Sequence, residues 1–311
     1  MDKVYTYEQL LDEVGNVSKT DRLAYIDFLL MFKGSLTRQD LTDFFGIKMA
    51  SASAAISEYR EYRQDNVEYA HREAKNVIKI SNFNPLLNYD AEGALGMLAN
   101  GFNKGKFNAT PTLPYERVGF MPKRLDVNLV AKVTRAISNK SAITCKYLSH
   151  SSKVHDERTL YPTAIFYDGI SWMFRAFSIS ESTPDGDFRS FNFSRVSSAT
   201  EMPQIFAKKH QTIQSDADWQ TIIPVLLQIH PSIDSDSKKS VLIHEYGVDS
   251  STNQLSVSVR AVLFYYLKEQ WSIDVRSEDD IKADKRESRY NFILKNSATF
   301  KHLKCMEHVF N

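Results

Sequence analysis

Two strand-like runs, Trp172–Phe177 and Phe188–Val196, flank the segment Glu181-Ser-Thr-Pro-Asp-Gly-Asp187, whose residues favour turns. Residues two apart in a strand share a face, so the spacing predicts that Arg189, Phe191, Phe193 and Arg195 line one side of the second run. Arg175 falls on one side of the first run with Met173 and Phe177. An arginine set among aromatics on a packing face is costly unless an anion meets it. A solvated face, or pairing with Asp187 and Glu181, accounts for the same pattern, and spacing alone leaves both readings open.

Strand-like segments also precede this pair. Ile143–Leu148 alternates, and Thr163–Ile170 carries Asp168-Gly169, a hairpin-turn dipeptide. Charge supports an anion-facing middle segment. Residues 101–210 hold 16 basic against 9 acidic side chains, residues 1–100 hold 11 against 15, and residues 211–311 hold 12 against 14. A local cationic surface attracts anions although the whole chain carries only +1.

The first hundred residues read as helices followed by a hairpin. Apolar residues from Asp21 to Gly34 keep helical spacing. Thr37-Arg-Gln-Asp40 resembles a capping box opening a short helix with Leu41, Phe44 and Phe45 inward. Gly46 supplies a left-handed turn into a second helix, about Met49 to Gln64, with Ala52, Ala55, Ile56 and Tyr59 on one face. Lys48, Ser51, Ser53, Ser57 and Arg60 then face outward, as on a helix that enters a major groove. Val67–Ile80 reads as a wing-like hairpin centred on Glu73-Ala-Lys-Asn76, with His71, Arg72 and Lys75 placed for phosphate. A helical-hairpin protein-contact module fits this pattern too. From Phe44 to Ile80 there are 6 basic and 5 acidic residues, so DNA affinity would rest on a few placed phosphate contacts and on dimerisation.

Over most of its length the chain resembles the WYL-domain transcriptional regulators, in the same domain order. Trp172-Met173-Phe174 stands at the Trp-Tyr-Leu signature. Trp-x-x-Arg-Ala-Phe followed by Phe-Arg-x-Phe-x-x-Ser-Arg-Val is similar to the branch that regulates anti-phage defence islands (BREX and CBASS systems). Tyr147-Leu-Ser149 and Arg158-x-x-Tyr161-Pro162 fit the start of the same domain. Met173 replaces a more polar residue of the family, and Ser190 stands where an acidic residue is frequent. The resemblance implies an α+β multidomain chain. Residues 1–100 would form a winged helix-turn-helix, 101–139 a connector and helix, 140–206 a Sm/SH3-like β-barrel (the WYL domain), and 207–311 a small α/β dimerisation domain. It further implies a cytoplasmic homodimeric repressor of a phage-defence operon, bound to double-stranded DNA at an inverted-repeat operator. The barrel would sense single-stranded DNA or a nucleotide through Tyr147, Ser149, Arg175, Arg189 and Arg195. Bidentate arginines beside stacking aromatics suit that ligand chemistry.

Several elements flank these parts. Asn103–Arg124, with Pro111, Pro114 and Pro122, has connector composition, and Leu125–Asn139 reads as a helix. Beyond residue 206, Trp219–Ile229 is apolar with Pro224 interrupting it. Ser240–Tyr246 and Gln254–Arg260 read as two strands, and Ala261–Trp271 as a helix whose Phe264-Tyr-Tyr266 suits a dimer interface. No run of about 18 apolar residues is present, so no membrane span is expected. Cys145 and Cys305 suit a reducing compartment rather than a disulfide scaffold. Common hydrolase, zinc-protease, phosphate-loop and dinucleotide motifs are absent, which argues against an enzyme and against a cofactor. His150, His155-Asp156 and the His302-x-x-Cys305-x-x-His308 spacing give a poor metal cage if the latter is one terminal helix. A nucleotide-sensing adaptor that binds no DNA and a nuclease with an unrecognised site are the competing readings.

Overall fold

A computed structural model describes residues 3–107, 113–114, 125–149, 157–181, 183–283 and 289–310. Most of the 101–124 connector, and His150, His155 and Asp156, lie outside the described residues. The chain divides into two compact units, residues 1–166 with 172–208, and residues 167–171 with 209–311.

The first unit opens with α1 (Tyr7–Val14), α2 (Val17–Lys33), β1 (Ser35–Leu36), α3 (Arg38–Phe45) and α4 (Met49–Tyr62). The predicted signals act where the sequence places them. Thr37 and Asp40 form a reciprocal capping box at the start of α3, and Gly34 and Gly46 end α2 and α3 at φ of 80° and 65°. A three-stranded sheet, ordered β1-β3-β2, follows from β2 (Val67–Ala70) and β3 (Lys75–Ile78). The hairpin turn runs over His71–Ala74, so Lys75 and Asn76 belong to β3 rather than to the turn. Phe44, expected inward, is 44% exposed, although its ring stacks on Tyr25 at 4.3 Å.

Asp27 interrupts the greasiest stretch of the chain, and the fold uses it as a buried hub. Its carboxylate accepts hydrogen bonds from the hydroxyls of Tyr59 (2.6 Å) and Tyr89 (3.0 Å) and from the amides of Leu86 and Leu87. These bonds fix α4 against α2 and anchor the chain leading to α5 (Ala91–Asn100). Burial pushes the Asp27 carboxyl above the usual carboxylate range, against the lowering effect of its donors.

After α6 (Val127–Asn139) comes a five-stranded sheet of β4 (Ser141–Tyr147), β5 (Glu157–Tyr167), β6 (Trp172–Ser180), β7 (Thr183–Asn192) and β8 (Val196–Phe206). Its order is β7-β6-β5-β4-β8. Only the 3-10 turn Phe193–Arg195 joins β7 on one edge to β8 on the other. A flat sheet of this width would hold its edges roughly 19 Å apart, while four trans Cα steps span at most about 15 Å. The sheet is therefore coiled.

The second unit holds α7 (Ala217–Gln220), β9 (Ile222–Ile229), α8 (Asp236–Tyr246), β10 (Gln254–Arg260), α9 (Phe264–Gln270), β11 (Ile273–Asp274), α10 (Glu278–Ala283), β12 (Phe292–Leu294) and α11 (Glu307–Phe310). Its sheet order is β10-β9-β12-β11. Three expectations are corrected here. Ser240–Tyr246 is helical, because Ser235 caps α8 at its start and Gly247 ends it in a left-handed turn. Its Val-Leu-Ile run imitated a strand, yet Val241 is 58% exposed and only Leu242 is buried. Pro224 does not interrupt β9: the β12 ladder reaches only Leu227, so the missing amide has no partner to lose. Phe264 packs inside the unit's own core, edge-on to Phe300 at 5.4 Å, which leaves Tyr265 as the exposed ring of that trio.

A candidate DNA-reading surface and a candidate ligand face

The outward side of α4 is set by what its inward side buries. Ala52, Ala55, Ile56 and Tyr59 are in the core, which turns Lys48, Ser51 and Ser57 to solvent and leaves Ser53 and Arg60 half-buried. Small residues early in α4 let its backbone approach another surface closely. Arg60 Nη2 donates to Oδ1 of the buried Asn76 at 2.9 Å, tying the helix to β3. A cleft of about 230 Å³ between helix and hairpin is lined by Arg38, Ser53, Ser57, Arg60, Tyr69 and Asn76. Arg38, exposed at the first position of α3, is the cation that sequence reasoning missed. Its signal was available, since the residue after an N-cap points its side chain out of the helix start. In the hairpin, Arg72 is exposed, whereas Lys75 pairs with Glu73 at 2.5 Å and has its charge locally neutralised.

The candidate ligand face follows from strand register. Arg175 pairs with Ser190 and Ala176 with Arg189, and directly paired residues lie on one side of a sheet. Arg189 therefore shares a face with Phe174, Ala176 and Phe191, while Arg175 lies on the other with Phe177 and Phe188. Arg175 is buried there, its Nη1 3.4 Å from Ser190 Oγ and its guanidinium 5.9 Å from the centre of the Phe188 ring. The five predicted ligand residues are thus not one cluster. The expected alternation through Arg195 also fails, because β7 ends at Asn192 and Phe193–Arg195 winds into the 3-10 turn. Ser149 stands beyond the end of β4 and so does not share a strand face with Tyr147.

What the fold does assemble is an aromatic wall with cations around it. The Tyr147 ring meets Phe191 edge-on at 5.1 Å, its hydroxyl accepts from the Asn192 amide at 3.1 Å, and Phe191 stacks on Phe174. Arg195 is brought to the end of β4 by its carbonyl, which accepts from the Leu148 amide at 2.9 Å. Arg158 pairs with Cys145 and so faces the same side as Tyr147. Its guanidinium lies 5.9 Å from the centre of the Tyr147 ring, and its buried Nε has no hydrogen-bond partner among the described residues. The sequence supplied Arg158 only as part of the family pattern. Burial pushes the neighbouring Cys145 thiol up to about 12, which keeps it protonated and unreactive.

The terminal histidines do not form a helical row. A 3-10 turn at Lys304–Met306 precedes the four-residue α11, and His302 and His308 are exposed. Among the described residues no three His, Cys, Asp or Glu side chains converge to hold a metal. No helix among them is long and apolar enough to cross a membrane.

Three family models match along the chain: the BrxR transcriptional regulator winged helix-turn-helix domain over residues 18–100, the WYL domain over 128–201, and the BrxR transcriptional regulator C-terminal dimerization domain over 222–300. The chain belongs to the WYL-domain transcriptional regulators. Among relatives of this WYL regulator are proteins named DNA-binding transcriptional repressor CapW. That of Pseudomonas aeruginosa is 28% identical over 293 residues, covering 91% of this chain and 90% of the relative. Those of Escherichia coli (strain KTE188) and Stenotrophomonas maltophilia are each 28% identical over 79% of this chain and 80% and 81% of their own lengths. A solved structure, proteasome accessory factor B/C of Arthrobacter aurescens, aligns at 15% identity with a TM-score of 0.24 over 78% of this chain. The chain spans 44% of that structure's length.

Proposed function

We infer that this protein is a homodimeric, sequence-specific DNA-binding repressor of a phage-defence operon, and that its WYL sheet senses a nucleic-acid or nucleotide anion. The observation that carries the reading is the outward row of Lys48, Ser51 and Ser57 on α4 beside the exposed Arg72 of the hairpin. A helix with its small polar side turned out and a cationic hairpin next to it fits a major groove and its flanking phosphate. The relatives' name, DNA-binding transcriptional repressor CapW, supports the same assignment.

The coiled five-stranded sheet, with its edges joined by one 3-10 turn, supports a small Sm/SH3-like barrel. Domain limits near residues 100, 140 and 206 accompany that reading. In the barrel, Arg158, Arg189 and Arg195 offer forks for phosphate around the Tyr147–Phe191 wall, which suits a base or a short single strand. The C-terminal unit is the dimer-forming part, and two copies present two reading helices to an inverted repeat.

Gel-shift titration of the DNA upstream of the protein's own gene tests the reading, with shuffled DNA as competitor. A shift that survives the competitor, lost in a Ser51→Glu Ser57→Glu variant that folds normally, is the expected result. Equal affinity for both DNAs would overturn sequence-specific recognition. Adding single-stranded oligonucleotides and nucleotides to the same titration should change operator affinity for at least one of them.

A further inference from the structure

The strand β10 is an edge of the C-terminal sheet, and its hydrogen-bonding phase can be read from two bonds at its ends. The Ile229 amide donates to the Asn253 carbonyl at 3.1 Å, and the Ala261 amide donates to the Thr221 carbonyl at 2.9 Å. The register between them is unbroken, Gln254 opposite Gln228 through Arg260 opposite Ile222. Hydrogen-bonded pairs alternate along an antiparallel ladder. Residues 255, 257 and 259 therefore turn their amides and carbonyls toward β9, and 254, 256, 258 and 260 turn theirs outward. Gln254 is partly used, because its carbonyl accepts from the Asp249 amide at 2.9 Å. The open edge runs from Ser256 to Arg260, and its midpoint is Ser258.

Edge strands in proteins that stay monomeric are blunted by proline, a bulge, inward charges or a covering element. Among the described residues β10 has no proline, its register has no shift, and its side chains toward the core are Leu255, Val257 and Val259. Those three are only half-buried, although Ile223, Val225 and Leu227 on the paired strand are buried. The core face is left unfinished at this edge.

We propose that β10 pairs antiparallel with β10 of a second copy of this chain, about a two-fold axis at Ser258, to make one continuous eight-stranded sheet. This rests on the homodimer reading above and names the surface that serves it. The strand is self-complementary in that register. Ser258 meets itself, Val257 meets Val259 of the second copy, and Ser256 meets Arg260 of the second copy. Every outward amide from 256 to 260 then finds an outward carbonyl, and the two half-covered apolar rows close over each other. An isologous contact of this kind is what a two-fold dimer requires, and β10 lies within the segment matched by the C-terminal dimerization model.

The test uses the full-length chain on size exclusion with light scattering. The wild type should run as a dimer, and Ser258→Pro should halve its mass, because that amide points away from β9 and its loss leaves the β9 ladder intact. In parallel, Ser258→Cys in a Cys305→Ser background should cross-link as a disulfide dimer under mild oxidation. Directly hydrogen-bonded strand partners lie about 5.5 Å apart at Cα, inside the disulfide range. Val241→Cys, exposed on α8, is the control and should not cross-link. A dimeric wild type with an equally dimeric Ser258→Pro and no Ser258→Cys cross-link would overturn the edge pairing while leaving the dimer standing. A monomeric wild type would overturn the homodimer reading itself. If Ser258→Pro fails to fold, the cross-link decides.

Discussion

Arg135 holds Glu201 by two parallel hydrogen bonds, Nε to Oε1 at 2.8 Å and Nη2 to Oε2 at 2.6 Å, with the Arg135 side chain buried and that of Glu201 11% exposed. The remaining Nη1 donates to the Met31 carbonyl in α2 at 2.6 Å. One guanidinium therefore joins α6, the β8 strand of the WYL sheet and the helix on which the winged domain is built. Removing one partner leaves a buried charge uncompensated, at a typical cost of about 3–5 kcal/mol. Glu201→Gln should lower the unfolding free energy of the first unit by about 3 kcal/mol or more in urea denaturation. The double replacement Arg135→Met Glu201→Leu should cost clearly less than Glu201→Gln alone. Equal losses in both would show that the pair itself, rather than the stranded charge, supplies the stability.

Asp27 gives a pH signature. Its folded-state carboxyl is raised by burial, so its contribution to stability is fully present below the unfolded value of about 4 and is lost as pH rises through the folded value. Asp27→Asn keeps the shape and removes the titration. The stability difference between wild type and Asp27→Asn should therefore move against the wild type from pH 4 to pH 8. Asp27→Ala strands two hydroxyls and two amides and should cost about 3 kcal/mol or more at any pH. Denaturation of all three proteins across that range measures it, and a difference that moves in favour of the wild type would contradict the assignment.

Capping chemistry made the first unit legible. Thr37 with Asp40, Gly34 and Gly46 are local signals, and local hydrogen bonds decide helix ends. Val241-Leu-Ile misled because β-branched apolar residues look alike in a strand and on a helix, and the deciding contacts, the Ser235 cap and the Gly247 turn, flank the run. The candidate ligand face was only half legible for a different reason. Alternation places residues on the two faces of one strand, but whether Arg175 joins Arg189 depends on the register between strands, which the intervening turn sets. Arg158 was hidden likewise, being brought to Tyr147 by its pairing with Cys145 across the β4–β5 ladder.

Register within the hairpin and ion pairing divide the winged-domain cations. Arg72 is exposed, and Lys75 is held by Glu73. Arg72→Ala should weaken binding to all DNA sequences alike and lower the salt slope by about 1. Lys75→Ala should lower it less. Ser53→Ala and Ser57→Ala should instead change the preferred base at single operator positions. Arg60→Ala should act through the helix–hairpin tie, so that Arg60→Lys, which cannot reproduce the same geometry at Asn76, rescues little. Fluorescence anisotropy at several salt concentrations, with an operator library, separates these outcomes. A larger slope change for Lys75→Ala than for Arg72→Ala would reverse the assignment.

The two arginines on opposite faces of the β6–β7 hairpin should separate folding from sensing. Arg175 is buried against Phe188 and Ser190, so Arg175→Ala removes packing as well as charge and should destabilise the first unit by about 2–3 kcal/mol. Arg189 is exposed on the face of Phe191, so Arg189→Ala should change stability by no more than about 0.5 kcal/mol, the range of surface substitutions. Its effect should fall on ligand instead. A phosphate-directed fork lost from a partly exposed site costs about 1.5–3 kcal/mol, which is roughly a tenfold to hundredfold weaker affinity for a single-stranded oligonucleotide or nucleotide. Arg158→Ala should show the same loss of affinity, with a small change in stability from its contact with Tyr147. Calorimetric titration paired with thermal melts of the three variants reads both quantities. Should Arg175→Ala alone abolish ligand binding while remaining as stable as the wild type, the sensing face is the one that carries Phe177 and Phe188, and the Tyr147 wall is structural.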